Sequence, residues 1–150
     1  MHKGKSHLSP AIGNEACLRG FDVIYRGTHE LLTWIHSGRA DGSGERRMAM
    51  IKTIPLLILD DFGLRPLSES NQTDLYEIIS ARYERNSTIL TSNRDFAEWQ
   101  KVFTNPLMGS AAMDRLVHRA IKISIEGESY RMNSFIASTK TLTKGVEELP

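Results

Sequence analysis

Two short groups of polar residues in this sequence have the types and spacing needed to bind a phosphate and a divalent cation. Gly4-Lys5-Ser6 matches the last three positions of G-x-x-x-x-G-K-[ST], in which the lysine meets the β/γ-phosphates and the hydroxyl binds Mg²⁺. Asp60 and Asp61 are adjacent. One carboxylate can hold Mg²⁺, usually through water, while the other orients or deprotonates a nucleophilic water. Each group alone also suits a polar arm or a turn, and their order along the chain is what makes the pair informative.

An α/β pattern of elements surrounds these groups. Leu56–Leu59 is a continuous apolar run that predicts a central parallel strand buried on both faces, and Asp60 follows it directly. A second β-rich run, Ser87–Thr91, is followed by Asn93. Ligands of open parallel sheets bind outside the carboxyl ends of the strands. We therefore expect the two aspartates and Asn93 to lie at one edge of the sheet.

The remaining elements follow from hydrophobic spacing and turn residues. The sequence predicts a strand over 23–25, helices over 28–36, 68–84 and 110–120, a flexible loop over 37–44 and a strand over 121–125. Pro10 affects the start of the first helix, because proline inside a helix costs ~3 kcal/mol or more but is well tolerated at its first position. We predict that Ser9 caps a helix beginning at Pro10, which leaves Lys5 and Ser6 on a loose arm.

Composition limits the class of protein. A chain of 150 residues with 40% hydrophobic and 25% charged residues fits one globular domain. The single cysteine, Cys17, excludes an internal disulfide and favours a reducing, cytoplasmic compartment, and the sequence contains no secretory signal or membrane-length apolar run. The net charge of +1 means that nucleic-acid binding would need a local basic patch. Such patches are offered by Arg39, Arg46, Arg47 and Lys52, and by Arg115, His118, Arg119 and Lys122.

Several stretches of the chain together resemble a known family. They are GKSHLSPAIGNEACLRGFDVIY, LLILDDFGLRPLSESNQTDLYEIISARYERNSTILTSN, FAEW, AAMDRLVHRA and GESYR. From Lys3 to about Arg131 the sequence resembles the IstB-like ATP-binding proteins, the helper ATPases of insertion-sequence transposition, which are related to the DnaC helicase loaders within the AAA+ class. The resemblance implies a P-loop NTPase three-layer sandwich with a parallel sheet. It also implies ATP and Mg²⁺ as cofactors, and DNA, a transposase and further copies of the ATPase as partners.

The resemblance implies roles for individual residues at the nucleotide. Gly4, Lys5 and Ser6 look like the end of the Walker A motif, with Ser6 also a magnesium ligand. Asp60 looks like the magnesium carboxylate of the Walker B motif. These residues would bind the cofactor.

The same resemblance implies catalytic residues. Asp61 occupies the position of the catalytic acid, and Asn93 looks like the sensor that positions the attacking water. Arg115 looks like an arginine finger offered to a neighbouring subunit, where a finger is worth about 10³–10⁵ in rate in other nucleotide hydrolases. Arg131 matches a family position without an assigned role. From the residues alone, Asn93 could equally cap a turn and Arg115 could be a surface arginine paired with an acidic residue.

The chain departs from the family pattern before Gly4. Met1-His2-Lys3 stands where the first strand and most of the Walker A loop are expected. We therefore expect a partial AAA+ domain over 1–133, followed by a flexible tail over 134–150. We expect the missing strand to lie beside the Asp60 strand, and its loss to leave an open groove that makes the chain marginally stable or self-associating. Two alternatives stay open: a catalytically defective remnant that only associates with full-length subunits, and a DnaC-like helicase loader.

Overall fold

Three parallel strands form the sheet of this protein. The computed structural model describes residues 5–126, with side chains from residue 7 onward. Strands β1 (Val23–Gly27), β2 (Leu56–Asp60) and β3 (Ser87–Leu90) lie in the order β1-β2-β3. Both edges of β2 are therefore paired with described strands. The predicted parallel sheet is confirmed, but the expectation of a missing strand beside the Asp60 strand is wrong, because β1 and β3 occupy both of those places.

Helices cover the two faces of the sheet. The described helices are α1 (Lys5–Leu18), α2 (Thr28–Asp41), α3 (Gly44–Thr53), α4 (Glu69–Arg82) and α5 (Pro106–Val117), with a 3-10 helix over Phe96–Val102. The predicted helices over 68–84 and 110–120 are confirmed with shifted ends. Ser68 caps α4 by accepting a hydrogen bond from the Asn71 N–H, as its position before the apolar stripe suggests.

The alternation of side chains along β2 divides the interior into two layers. Leu57 and Leu59 are fully buried in the main core, which they share with α2, α3 and α4. Ile58 points to the opposite face. There α1 approaches so closely that a Cβ on Gly13 would lie 3.0 Å from Ile58 Cδ1. This burial on both faces is what the continuous apolar run predicted.

The first helix begins earlier than the sequence suggested. The prediction that it starts at Pro10 is wrong: α1 starts at Lys5 and contains Pro10. Proline cannot donate the hydrogen bond to the carbonyl four residues earlier. Packing of the helix on the sheet, with Ser9 buried and Gly13 against Ile58, outweighs that loss. As a result Lys5 and Ser6 belong to the first turn of a helix rather than to a loose arm.

The glycine-rich segment 37–44 is not a loop. Helix α2 continues through Asp41, Gly42 ends it with a left-handed φ of 80°, and α3 begins at Gly44. A Cβ on Gly38 would lie 3.0 Å from Gly44 Cα, so the two glycines let α2 and α3 approach each other. The prediction of a flexible loop is wrong. The glycines were taken as a sign of local flexibility, but they allow two helices to come into contact.

The segment after α5 also differs from expectation. No strand forms over residues 121–126, and Ile121 and Ile123 are exposed. An alternating segment becomes a strand only beside a partner, and the described residues place no strand next to it. The predicted tail over 134–150 and the boundary at 133 lie outside the described residues. None of the described helices is long and apolar enough to cross a membrane.

Candidate functional site

Asp60 lies at the carboxyl end of the central strand, where hydroxyl groups from both neighbouring segments reach it. Tyr25 Oη donates a 2.7 Å hydrogen bond to Asp60 Oδ2, and the Thr91 hydroxyl donates to Oδ1. The Asp60 carbonyl accepts a 2.9 Å hydrogen bond from Thr28 Oγ1. Each carboxylate oxygen is thus bound to a different hydroxyl, which fixes the plane of the carboxylate.

Both hydroxyls are committed as donors. The hydrogen bond to Asp60, followed by burial and the charges of Asp60 and Asp61, raises the pKa of Tyr25 to about 12. The phenol is therefore protonated at neutral pH. Thr91 Oγ1 accepts a 3.3 Å hydrogen bond from the Asp61 N–H. Because that contact uses an acceptor site of the hydroxyl, its single proton is available for Asp60.

The turn after Asp60 holds Asp61 in an unusual backbone conformation. Asp61 has a φ of 54°, in the left-handed region that few non-glycine residues adopt. The Phe62 N–H donates a 2.8 Å hydrogen bond to the Thr91 carbonyl, and Ser92 Oγ donates a 2.6 Å bond to the Phe62 carbonyl. These two hydrogen bonds fix the turn to the end of β3. Strained backbone conformations persist where surrounding contacts hold them in place, and they are often found at functional sites.

Asn93 follows directly after those contacts. It is exposed and lies two residues beyond Thr91, beside Ser92, whose Oγ accepts a 3.1 Å hydrogen bond from the Arg94 N–H. The structure thus brings Asp60, Asp61 and Asn93 to one edge of the sheet. This is the arrangement that the apolar run 56–59 and the β-rich run 87–91 predicted.

Of the other predicted site residues, the structure describes Arg115 and the backbone of Lys5 and Ser6. Lys5 and Ser6 occupy the first turn of α1, and their side chains, like Gly4 and Arg131, lie outside the described residues. Arg115 is on α5, donates a 3.0 Å hydrogen bond to the Ala111 carbonyl and lies with its guanidinium 5.5 Å from the centre of the Tyr76 ring. It therefore rests on α4 of its own chain.

Sequence reasoning missed Tyr25 and Thr91. Both were placed in predicted strands, but neither was assigned to the site. In β1 the register sets Tyr25 opposite Ile58 and Gly27 opposite Asp60, so the long tyrosine side chain reaches two residues along the neighbouring strand. The available signal was a hydroxyl-bearing residue near the carboxyl end of each strand flanking Asp60.

The donors at this edge fit magnesium held jointly with a nucleotide. The described residues contain no group of three or more histidine, cysteine, aspartate or glutamate side chains placed to hold a metal ion. Magnesium characteristically takes one or two carboxylates, several waters and substrate phosphates rather than an all-protein cage. Asp60 supplies such a carboxylate.

The fold and the site together define a class. A parallel sheet flanked by helices, with acidic and amide side chains where the strands end, is the architecture of the P-loop ATPases of the AAA+ class. A family model described as IstB-like ATP binding protein matches residues 2–138. The chain belongs to that family.

Individual relatives agree with this assignment. The chain is 42% identical over 130 residues to "Putative insertion sequence ATP-binding protein y4pL" of Sinorhizobium fredii, covering 87% of this chain and 53% of the relative. It is 33% identical over 129 residues to "Insertion sequence IS21 putative ATP-binding protein" of Pseudomonas aeruginosa, covering 86% and 49%. The chain spans about half the length of the curated relatives it matches.

Solved structures show the same fold. AMPPCP-bound DnaA from Aquifex aeolicus matches with a TM-score of 0.69 and 26% identity, over 91% of this chain and 41% of that one. The DnaC helicase loader matches with a TM-score of 0.63 and 23% identity, over 75% and 68%. At that identity the loader supports the fold alone.

Proposed function

We propose that this chain binds ATP with Mg²⁺ and acts as an AAA+ helper of DNA transposition that assembles on DNA. The observation that carries the proposal is the Asp60 carboxylate, fixed at the end of the central strand beside Asp61 and Asn93. Family membership supports ATP as the nucleotide, and the relatives' association with insertion sequences supports transposition.

Each site residue has a definite role in this proposal. Gly4, Lys5 and Ser6, at and before the first turn of α1, bind the phosphates, and Asp60 and Ser6 hold Mg²⁺. When held there, Mg²⁺ would supply positive charge that neutralises the phosphates. Asp61 takes a proton from the attacking water. Its backbone is held in the turn by hydrogen bonds to Thr91 on either side of the residue's carbonyl carbon.

Catalysis is completed by two further residues. Asn93 orients the attacking water from the end of β3. Arg115 neutralises charge on the ATP of a neighbouring subunit, so hydrolysis depends on assembly. In the proposal, the contact with the Tyr76 ring holds the Arg115 guanidinium at the surface formed by α4 and α5. The neighbouring subunit binds against that surface.

The proposed partners are DNA, a transposase and other copies of the ATPase, in the cytoplasm. DNA is supported by the relatives' insertion-sequence names and by a structural neighbour, a DnaA bound to AMPPCP and single-stranded DNA, which matches at 28% identity with a TM-score of 0.63. The basic side chains of α3 supply a candidate contact surface. Arg46 is exposed there.

Hydrolysis by an Asp61→Asn variant tests the proposed chemistry. We expect this substitution to lower the rate of ATP hydrolysis in the presence of DNA by about 10²-fold or more, the usual contribution of a general base. Nucleotide binding should be retained, because Asp60 and the phosphate loop are unchanged. Asp22→Asn, at an exposed residue before β1, is the matched control.

The hydrolysis rate of the variant, together with binding measurements on the wild-type chain, separates the proposed function from the defective remnant. An Asp61→Asn variant that hydrolyses ATP at the wild-type rate would contradict the role of Asp61. A wild-type chain that binds neither ATP nor DNA, and instead associates with a longer member of the family, would show that it is a defective remnant.

A further inference from the structure

We propose that Tyr25 is a positioning residue that orients the Asp60 carboxylate toward magnesium-bound ATP, with Thr91 acting from the opposite side. The inference rests on the proposed function of Asp60. It adds a residue of β1, outside the acidic pair and the phosphate loop, to the nucleotide site.

The geometry around Asp60 carries this inference. Tyr25 lies on β1 and Thr91 just beyond β3, so the two hydroxyls approach the central carboxylate from opposite neighbours. Each donates to a different oxygen. A carboxylate oxygen has two lone pairs. The hydroxyl on each oxygen therefore uses only one of its two acceptor positions.

These contacts restrict how Asp60 can turn. With a single hydroxyl donor, rotation of the carboxylate about its Cβ–Cγ bond would strain one hydrogen bond. With donors on both oxygens, the same rotation strains two hydrogen bonds, so the carboxylate is held more tightly. Loss of partners that orient metal ligands in this way typically costs about 10- to 100-fold in metal affinity or activity.

Burial of the aromatic ring does not explain why position 25 holds a tyrosine. The residue is 42% exposed, unlike the fully buried Ile58 opposite it in the register. A phenylalanine there would keep the ring and lose only the hydrogen bond to Asp60. The substitution therefore isolates the hydroxyl.

The test compares nucleotide affinity with and without magnesium. The dissociation constant of a fluorescent ATP analogue is measured for wild type and Tyr25→Phe, first with Mg²⁺ and then with EDTA. We expect Tyr25→Phe to weaken binding roughly 10- to 100-fold with Mg²⁺, the usual cost of removing a partner of a metal ligand, and to leave binding in EDTA unchanged. A merely structural defect would weaken both equally.

Control variants make the comparison specific. Tyr83→Phe removes a hydroxyl that is 2.9 Å from His118 Nδ1, away from Asp60, and should change neither affinity. Thr91→Val should reproduce the loss with Mg²⁺, whereas Thr91→Ser should restore binding. The unfolding temperature of each variant, measured without nucleotide, establishes whether it is folded. If Tyr25→Phe is unfolded, the comparison of Thr91→Val with Thr91→Ser provides the test.

Three outcomes separate this inference from the proposed function. A selective loss with Mg²⁺ supports both. A second outcome is that Mg²⁺ tightens binding of the analogue by the same factor in wild type, Tyr25→Phe and Thr91→Val. That result overturns the positioning role and leaves the proposed function standing. If wild type binds no nucleotide, the proposed function is overturned, and the positioning role with it.

Discussion

At the scale of single residues, the site depends on side chains that fix one another. Asp60 and Asp61 could be predicted from sequence because an apolar run ends at them, and Asn93 because a second run ends just before it. Tyr25 and Thr91 could not be assigned, since their hydrogen bonds to Asp60 depend on the register between strands. That register is set by the whole sheet rather than by local sequence.

Gly63 gives a prediction at this scale. Its φ is 77°, and an added Cβ would lie 3.1 Å from Val102 Cγ2 and 3.3 Å from Arg94 Cδ. We expect Gly63→Ala to lower the free energy of unfolding by more than the ~1–2 kcal/mol that the left-handed conformation alone costs. Urea denaturation measures the change.

Gly20→Ala is the matched control for that prediction. Gly20 has a φ of 88°, and nothing lies within 4 Å of the position of its Cβ. It should therefore show the backbone cost alone. Equal losses for the two variants would mean that the turn after Asp60 is not packed as the structure has it.

At the scale of elements, the three strands of the sheet were predictable, but the strand predicted over 121–125 does not form and the ends of several helices differ. Buried parallel strands are continuous apolar runs, and 56–59 is such a run. Helix ends depend on contacts between distant parts of the chain. Gly38 and Gly44 resemble loop residues in sequence, but their close approach joins two helices. Pro10 resembles a first-turn residue, but the packing of α1 extends the helix past it.

The proline predicts a gain in stability on substitution. Pro10→Ala restores a hydrogen bond donor inside α1 and removes the clash of the ring with the preceding turn. We expect the free energy of unfolding to rise by up to ~3 kcal/mol, measured by urea denaturation. Pro66→Ala, in an exposed loop, should give no such gain. A loss on Pro10→Ala would contradict the helix start at Lys5.

Arg82 joins three elements at the opposite end of the sheet. It is buried, and its guanidinium donates to the carbonyls of Ile51, Ile54 and Ser87 at 2.6 to 2.8 Å and to Thr88 Oγ1 at 2.9 Å. Burial lowers its pKa to about 10, so it remains charged at neutral pH. The end of α3, the approach to β2 and the start of β3 are thereby held together.

Removing that guanidinium should be costly. Arg82→Met keeps much of the volume but leaves several carbonyls without their donor, and each such buried group costs ~1–3 kcal/mol. We expect a fall in unfolding free energy of about 3 kcal/mol or more. Arg85→Met, at an exposed position three residues later, should change stability little. Similar effects of the two variants would show that Arg82 does not organise this end of the sheet.

At the scale of the whole molecule, the described residues leave apolar surface uncovered. Among them, the outer strands β1 and β3 each have a neighbour on one edge only, and Ile121, Ile123 and Leu18 are 88%, 63% and 75% exposed. Unpaired strand edges and exposed apolar groups favour association. Among the described residues the open edges lie on β1 and β3 rather than beside Asp60, where the sequence analysis expected a groove.

We therefore expect this chain to self-associate. Sedimentation velocity should show a sedimentation coefficient that rises with protein concentration. Replacing both Ile121 and Ile123 by lysine should reduce the association, whereas Met50→Lys, at a half-exposed position on α3, should not. A compact monomer at all concentrations would contradict the prediction.

The central claim is that this chain holds ATP through Lys5 and the Asp60 edge, and direct nucleotide binding tests it most simply. Isothermal titration of the purified chain with ATP and Mg²⁺ is compared with Lys5→Ala and with Lys3→Ala as the control. We predict that wild type and Lys3→Ala bind ATP saturably and that Lys5→Ala binds it about 10-fold more weakly or worse. The reason is that a hydrogen bond to a charged group is worth ~1.5–3 kcal/mol. Absence of binding by wild type, or equal binding by Lys5→Ala, would contradict the claim.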